Sequence, residues 1–409
     1  MGGDLTRRDF LGLGGAAAAG MLATGVEDTA QAAEIAAPRA ASAPGAAGPF
    51  TVAPAASPSS EEWTRGGFYA CALQTFNDAV HPDGTREAAR ERMRRTVARI
   101  DEQVGGTKRW IGRDFKLVVL PEYVLTGPPW GEAIDEWADK AAIAPDGPEY
   151  EALAGIAQKH ALFLAGNAYE TDPNFPGLYF QASFCLDPAG NAVLRYRRLV
   201  SLFAPTPHDV WDRYLDLYGL DGVFPVARTE IGALAAIASE EILYPEIARC
   251  HAIRGAEVLL HSTSEVFTLT PSQKKIARAA RAMENMAYVV SANTAGTSGI
   301  EVPQQSPDGG SEIVDYLGGV MVTTGQGESI NAHARLLVDG LRSYRRRPGM
   351  GNFLSRQALD LYAESFASAD LRRRNGLLRG GKVVVPDRSY FRERQTDTIS
   401  RMIERGVTG

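Results

Sequence analysis

The stretch Arg281-Ala282-Met283-Glu284-Asn285-Met286-Ala287-Tyr288-Val289-Val290-Ser291-Ala292-Asn293 holds the end of one element and the whole of the next. A helical run that begins at Pro271 ends near Met286, and an apolar strand follows at once from Tyr288 to Asn293. A helix delivered straight into a buried strand is the repeating unit of layered α/β proteins. Working back toward the N-terminus, Val258-Leu259-Leu260 reads as a strand, Pro245 to Ile253 as a helix and Ile231 to Ala238 as a strand. Ala192 to Tyr196 and Ala182 to Leu186 form a hairpin around Asp187-Pro188-Ala189-Gly190. A helix from Pro148, with proline in its first turn, to His160 precedes the buried strand Leu162 to Gly166. Leu117-Val118-Val119-Leu120 is another strand, stopped abruptly by Pro121-Glu122. Arg86 to Val104 carries Met93, Val97, Ile100 and Val104 at helical spacing, and Phe68 to Gln74 opens the series as a strand. Downstream, Ile313-Val314 pairs with Val320-Met321-Val322 in a last hairpin. The pattern predicts an α/β fold with helical layers outside sheets.

The ends of the chain differ in character. Thr6-Arg7-Arg8-Asp9-Phe10-Leu11, an uncharged Ala- and Gly-rich run from Gly12 to Gly25, and Ala30-Gln31-Ala32 have the order of a twin-arginine export signal with a cleavage site. The apolar run is too short and glycine-rich to span a bilayer comfortably. Export to the periplasm or outside the cell is therefore expected, with no membrane anchor once a signal over residues 1–32 is removed. Residues 33–66 are Ala, Pro and Ser with few large apolar side chains and read as a linker, because they cannot offset the entropy of ordering. Residues 67–340 form the expected domain, and 341–409 an extension packing on that domain or in oligomer contacts. A formal net charge of -6 argues against a nucleic-acid partner. Arg345-Arg346-Arg347 and Arg372-Arg373-Arg374 are read as surface or as partners of carboxylates in the same chain. Three cysteines, Cys71, Cys185 and Cys250, cannot all pair, and buried free thiols are expected. No metal or nucleotide motif is present, so no metal site and no cofactor is implied.

Four segments, in order, resemble the signature blocks of nitrilase-superfamily (carbon-nitrogen hydrolase) amidases. Leu120-Pro121-Glu122-Tyr123 is similar to the strand-end block that carries the family's general base, and Leu194-Arg195-Tyr196-Arg197-Arg198 to its Tyr-Arg-Lys block. Ile237-Ala238-Ser239-Glu240-Glu241, followed by Tyr244 to Arg249, resembles the cysteine nucleophile elbow; Arg281 to Asn293 matches the block after the last core helix. The resemblance runs from about Phe68 to Leu336 and implies a four-layer α-β-β-α sandwich. Carried over position by position, Glu122 takes the place of the base, Arg198 that of the lysine and Ser239 that of the cysteine. The family's further active-site glutamate has no clear counterpart, Asp209 and Asp212 being the nearest carboxylates.

The two replacements set the functional expectation. A thiol ionises readily beside a carboxylate, whereas a serine hydroxyl normally needs a histidine relay. Arginine keeps the positive charge but cannot shuttle a proton. Losing one catalytic group costs roughly 10²- to 10⁴-fold in rate. The first reading is therefore a pocket that binds an amide- or nitrile-like small molecule with lost or altered hydrolysis. The second is an active amidohydrolase using Ser239, with Glu122 as base and Arg198 as oxyanion clamp; the third is an assembly module, and a homo-oligomer is expected. Tyr123, Glu240 and His261 are candidate substrate-binding residues. His261 reads first as a hydrogen-bonded histidine at a strand end and only second as a catalytic partner, and strand alternation turns Glu240 to the opposite face from Ser239. Glu246 and Arg249 are expected to pair within their helix, and Glu284 and Asn285 to brace the fold. The stretches Thr126 to Trp137 and Phe203 to Phe224, with Trp130, Trp211, Tyr214 and Tyr218, read as loops that wall a pocket or pack on the body.

Overall fold

A computed structural model describes residues 66–408, apart from 267, 269 and 302–308. The expected signal, and the linker up to residue 65, lie outside the described residues. Five strands come first: β1 (Phe68–Ala72), β2 (Phe115–Val119), β3 (Phe163–Thr171), β4 (Tyr179–Leu186) and β5 (Ala192–Arg197). Six more follow: β6 (Ala227–Thr229), β7 (Gly232–Ala238), β8 (Val258–Ser262), β9 (Tyr288–Ala292), β10 (Glu312–Val314) and β11 (Val320–Thr323). The last strand of these two groups, β12 (His333–Leu336), returns to the first. They build two six-stranded sheets, ordered β12-β1-β2-β3-β4-β5 and β11-β10-β9-β8-β7-β6. Strands β1, β2 and β3 run parallel, as do β7, β8 and β9, with antiparallel strands added at the edges.

Alternation along each strand makes the layers. On β7, Leu234, Ala236 and Ala238 face Leu117, Val119 and Phe163 of the other sheet. The intervening Ala235 and Ile237 meet Ala248, Ala277 and Ala282 on helices. The helices are α1 (Arg86–Ile111), α2 (Ile134–Lys140), α3 (Pro148–His160), α4 (Trp211–Val223), α5 (Pro245–Ile253) and α6 (Gln273–Asn285). Met93, Val97 and Ile100 of α1, with Leu153 and Ile156 of α3, close the outer face of the first sheet; α5 and α6 close that of the second. The result is the α-β-β-α sandwich. Among the described residues no helix is long and apolar enough to cross a membrane.

Three further helices, α7 (Val338–Arg345), α8 (Asp360–Ala369) and α9 (Ser389–Glu404), lie in the C-terminal segment. That segment packs on the domain. Phe391 is buried in the core of the first sheet, and Arg394 pairs with the buried Asp209. Arg345 donates to the Met286, Ala256 and Asn285 carbonyls, closing the end of α6 with a cation where the helix dipole favours one. The two stretches read as loops contain α2 and α4, and Tyr214 packs on Phe175 and Phe180 in the core rather than lining an open wall. Cys71, Cys185 and Cys250 are free; the first two are buried, and burial pushes the Cys71 thiol up to about 12.

The register levels the functional ends. Ala238 pairs with Ser262 and Ser262 with Ala292, so Ser239, Thr263 and Asn293 leave adjacent parallel strands at one height. The Ser262 hydroxyl donates to the Leu120 carbonyl, tying this edge of the second sheet to the end of β2 in the first. Active sites of parallel α/β sheets characteristically lie at such carboxyl ends.

Candidate active site

Glu122 stands two residues past Leu120, where β2 stops at a proline that cannot continue the ladder. Its carboxylate is buried and held by three donors: Gln181 Nε2 at 2.7 Å and Arg198 Nη1 at 3.1 Å on Oε1, and Ser264 Oγ at 2.6 Å on Oε2. Tyr123, at φ 38°, stacks on Tyr169 and bonds to the same Ser264 hydroxyl, so it reinforces the clamp on Glu122.

Arg198 follows the last residue of β5 and reaches inward. Its Nε donates to the Val200 carbonyl at 2.7 Å, and Nη1 to the Gln181 amide oxygen at 2.7 Å as well as to Glu122. Nη2 donates to Glu240. Burial works against this charge, but the carboxylates of Glu240, Glu122 and Glu241 outweigh it and hold the guanidinium pKa above its ordinary value. One arginine thus joins Glu122 to the residue next to Ser239.

Ser239 follows β7 at φ 51°, a left-handed conformation that costs a non-glycine residue of order 1 to 3 kcal/mol and clusters at functional sites. It opens a short 3₁₀ helix, Ser239–Leu243. A serine on a sharp turn from strand to helix is the geometry that presents a nucleophile. Below it, His261 donates from Nε2 to the Ser239 carbonyl at 2.8 Å, while Nδ1 lies 2.8 Å from the Ser291 hydroxyl. Burial first, and Arg278 next, hold the His261 pKa well below its ordinary value, so the ring is neutral and Ser291 is the donor to Nδ1. Glu241 is the second brace. Its carboxylate accepts from the backbone amides of Leu199, Val200 and Ala238 and from the Tyr196 hydroxyl, and burial pushes its pKa up to about 7.

The Ser239 hydroxyl faces neither His261 nor an arginine. Lys274 Nζ lies 3.2 Å from Ser239 Oγ and 3.0 Å from Thr263 Oγ1. Burial holds its pKa below the ordinary lysine value, with Glu122 and Glu265 opposing and Arg278 adding to the shift. Among the described residues Lys274 forms no ion pair; its two partners are hydroxyls. A cavity of about 170 Å³ opens beside Glu240, walled by Leu202, Tyr244 and, from the C-terminal segment, Arg372, Phe391 and Arg394. Among the described residues no group of His, Cys, Asp and Glu could hold a metal ion.

The sequence model of the carbon-nitrogen hydrolases matches residues 89–346, more than half of the chain and all four layers of the sandwich. The chain belongs to the carbon-nitrogen hydrolase family. It is 25% identical over 181 residues to a probable nitrilase of Schizosaccharomyces pombe, covering 44% of this chain and 62% of that protein. It is 26% identical over 188 residues to a formamidase of Bacillus thuringiensis, covering 46% of this chain and 52% of that protein. The matched segments thus span only about half to three-fifths of these relatives. An amidase from Nesterenkonia sp. has the same fold, with a TM-score of 0.53 at 18% identity over 73% of this chain and 96% of that one.

Within this carbon-nitrogen hydrolase fold, Glu122, Arg198, Tyr123 and Glu240 gather in one network; Ser239 adjoins it as the residue before Glu240, with its hydroxyl on Lys274, and His261 holds its carbonyl from beneath. His261 has both ring nitrogens committed to the elbow backbone and Ser291, which makes it a support rather than a contact for a ligand. The alternation argument for Glu240 fails, because β7 ends at Ala238 and the 3₁₀ turn swings Glu240 onto Arg198. Asp209 is buried under α9 and Asp212 faces Arg374, so neither joins the site. The expected Glu246–Arg249 pair is absent among the described residues; burial lowers the Arg249 pKa, with Glu284 as its opposing charge. Glu284 and Asn285 brace α6, as Glu284 pairs with Arg281 and Asn285 bonds back to the Arg281 carbonyl. Sequence reasoning missed Gln181, Ser264 and above all Lys274. The signal for Lys274 was there: a lysine in the first turn of a helix opposes the macrodipole, and such local conflicts mark functional positions.

Proposed function

We propose that this carbon-nitrogen hydrolase binds an amide- or nitrile-like small molecule at the Glu122–Arg198–Ser239 network, and that any hydrolysis there is altered from thiolate chemistry. The observation that carries the reading is Arg198, whose guanidinium joins Glu122 to Glu240 beside Ser239 and so gathers residues from both sheets around one buried point. A network of this kind, with a hydroxyl, a carboxylate and cations converging, suits a polarised carbonyl or nitrile. Both oxygens of Glu122 are already engaged, so it is poorly placed to take a proton from a hydroxyl as weakly acidic as that of serine. The formamidase and amidase among its relatives support small amides as the ligand class.

Export by the N-terminal twin-arginine segment is part of the same proposal, as is a homo-oligomer. The assembly reading draws support from α8, which leaves Leu361 and Phe366 well exposed. The test is a panel of formamide, acetamide, butyramide and acetonitrile, followed by thermal shift and by ammonia release, with Ser239→Ala and Glu122→Gln alongside. Binding that weakens in Glu122→Gln supports the site. No shift with any of the panel would remove it. Turnover at Ser239 is favoured by one specific observation, the amine beside its hydroxyl.

A further inference from the structure

We propose that Lys274 is the proton acceptor for Ser239, so that the two form a serine-lysine pair attacking the acyl carbon of a primary amide; this rests on the reading that an amide-like ligand occupies the site. The family position for a lysine is filled by Arg198, which is bound to carboxylates and cannot release a proton. Lys274 arrives from another element, the first turn of α6, and stands on the other side of Ser239. Its amine is fixed between Ser239 Oγ and Thr263 Oγ1, within the reach required of a general base.

Three features favour a neutral amine there. The side chain is half-buried, its direct partners are hydroxyls rather than carboxylates, and the N-terminal end of a 13-residue helix places positive potential on it. The charged groups facing it are Glu122 from the end of β2, Glu240 from the elbow, Glu265 from the segment after β8, and Arg278 one turn along α6. Glu122 and Glu240 share Arg198, and Glu265 pairs with Arg278, so all three carboxylates already have a cation other than Lys274. The competing bases are otherwise occupied: Glu122 has both oxygens engaged, and His261 donates to a backbone carbonyl.

The step balances as follows. Neutral Lys274 takes the Ser239 hydroxyl proton as Oγ bonds to the amide carbon and the carbonyl electron pair moves to oxygen. The pair returns, the carbon-nitrogen bond breaks, and the Lys274 ammonium gives its proton to the leaving nitrogen, releasing ammonia. Water then attacks the acyl-serine ester, Lys274 takes its proton and returns it to Ser239 Oγ, and a carboxylic acid leaves.

The test uses the full chain with p-nitrophenyl acetate as acyl donor, intact mass to follow acetylation, and acetamide thermal shift as a separate report on binding. Wild type should gain one acetyl group on Ser239, at a rate that rises with pH to a midpoint below the ordinary lysine pKa of about 10.4. Lys274→Met and Lys274→Arg should each acylate roughly 10²- to 10⁴-fold more slowly while keeping the acetamide shift. Lys274→Arg keeps the charge, so with the wild-type pH profile it decides the matter even if Lys274→Met does not fold. Acylation of either variant at the wild-type rate overturns the pair, as does an unlabelled Ser239 in wild type. Labelling without any acetamide shift would leave the pair standing and overturn the amide reading instead.

Discussion

The site holds two cations on two flanks, and they are kept in contrasting ways. Arg198, from the first sheet, spends its donors on Glu122, Gln181, Glu240 and the Val200 carbonyl, and its charge is fixed. Lys274, from the helical layer of the second sheet, meets two hydroxyls, and its charge is disfavoured by burial. An arginine locked among carboxylates assembles a site but cannot exchange protons; a desolvated lysine beside a hydroxyl can.

That contrast predicts unequal consequences for folding. Arg198→Met should be the most damaging change on either flank, because it leaves Glu122 and Glu240 without their buried partner; a loss of about 3 to 5 kcal/mol is expected in urea denaturation. Retention of full stability would show that Arg198 is not the keystone of its flank.

Glu241 sharpens the same flank through pH. Its pKa is raised from 4.5 to about 7, so its contribution to stability is full below about 4.5 and is lost as pH rises to about 7, where the folded protein must also ionise it. The difference in stability between wild type and Glu241→Gln should change by about 1 to 3 kcal/mol across that window, wild type losing the more. A constant difference between the two would contradict the raised pKa.

On the lysine flank, His261→Ala leaves the Ser239 carbonyl and the Ser291 hydroxyl unpaired in the interior, at a cost of about 1 to 3 kcal/mol. The accompanying loss of acylation should follow from a loosened elbow, and His261→Gln should restore part of it, a rescue that a general base would not show. Lys274→Met should move stability least, by no more than about 1 kcal/mol and in the stabilising direction as readily as the other, because it removes a half-buried amine whose charged form is already disfavoured and which has no ionic partner among the described residues. A large destabilisation would place Lys274 with Arg198 as a structural cation.

Much of this was legible in the chain. Apolar runs such as Leu117 to Leu120 and Val258 to Leu260 betray strands buried on both faces, and Pro148 and Pro245 mark helix starts that the structure places at the same residues. Glu122, Arg198 and Ser239 were picked out by the resemblance of their blocks to those of the family, and the structure sets each of them just past a strand end. Helices α2 and α4 escaped notice because their segments are crowded with Trp, Tyr and Pro, and α4 is broken at Gly219, where φ is 60°. Glu240 was misdirected by extending strand alternation one residue past the end of the strand. Lys274 could be flagged as a first-turn lysine but not joined to Ser239: their 35-residue separation is bridged only by the parallel crossover from β7 to β8 and on to α6, a contact that topology makes and local pattern does not.

The most direct measurement is a crystal structure of the protein soaked with butyramide. The amide carbon should lie within bonding approach of Ser239 Oγ, with Lys274 Nζ still on that hydroxyl and the ligand's polar end toward Glu122. A ligand bound away from these residues, or a Ser239 hydroxyl turned from Lys274 and sealed from any ligand, would contradict the account.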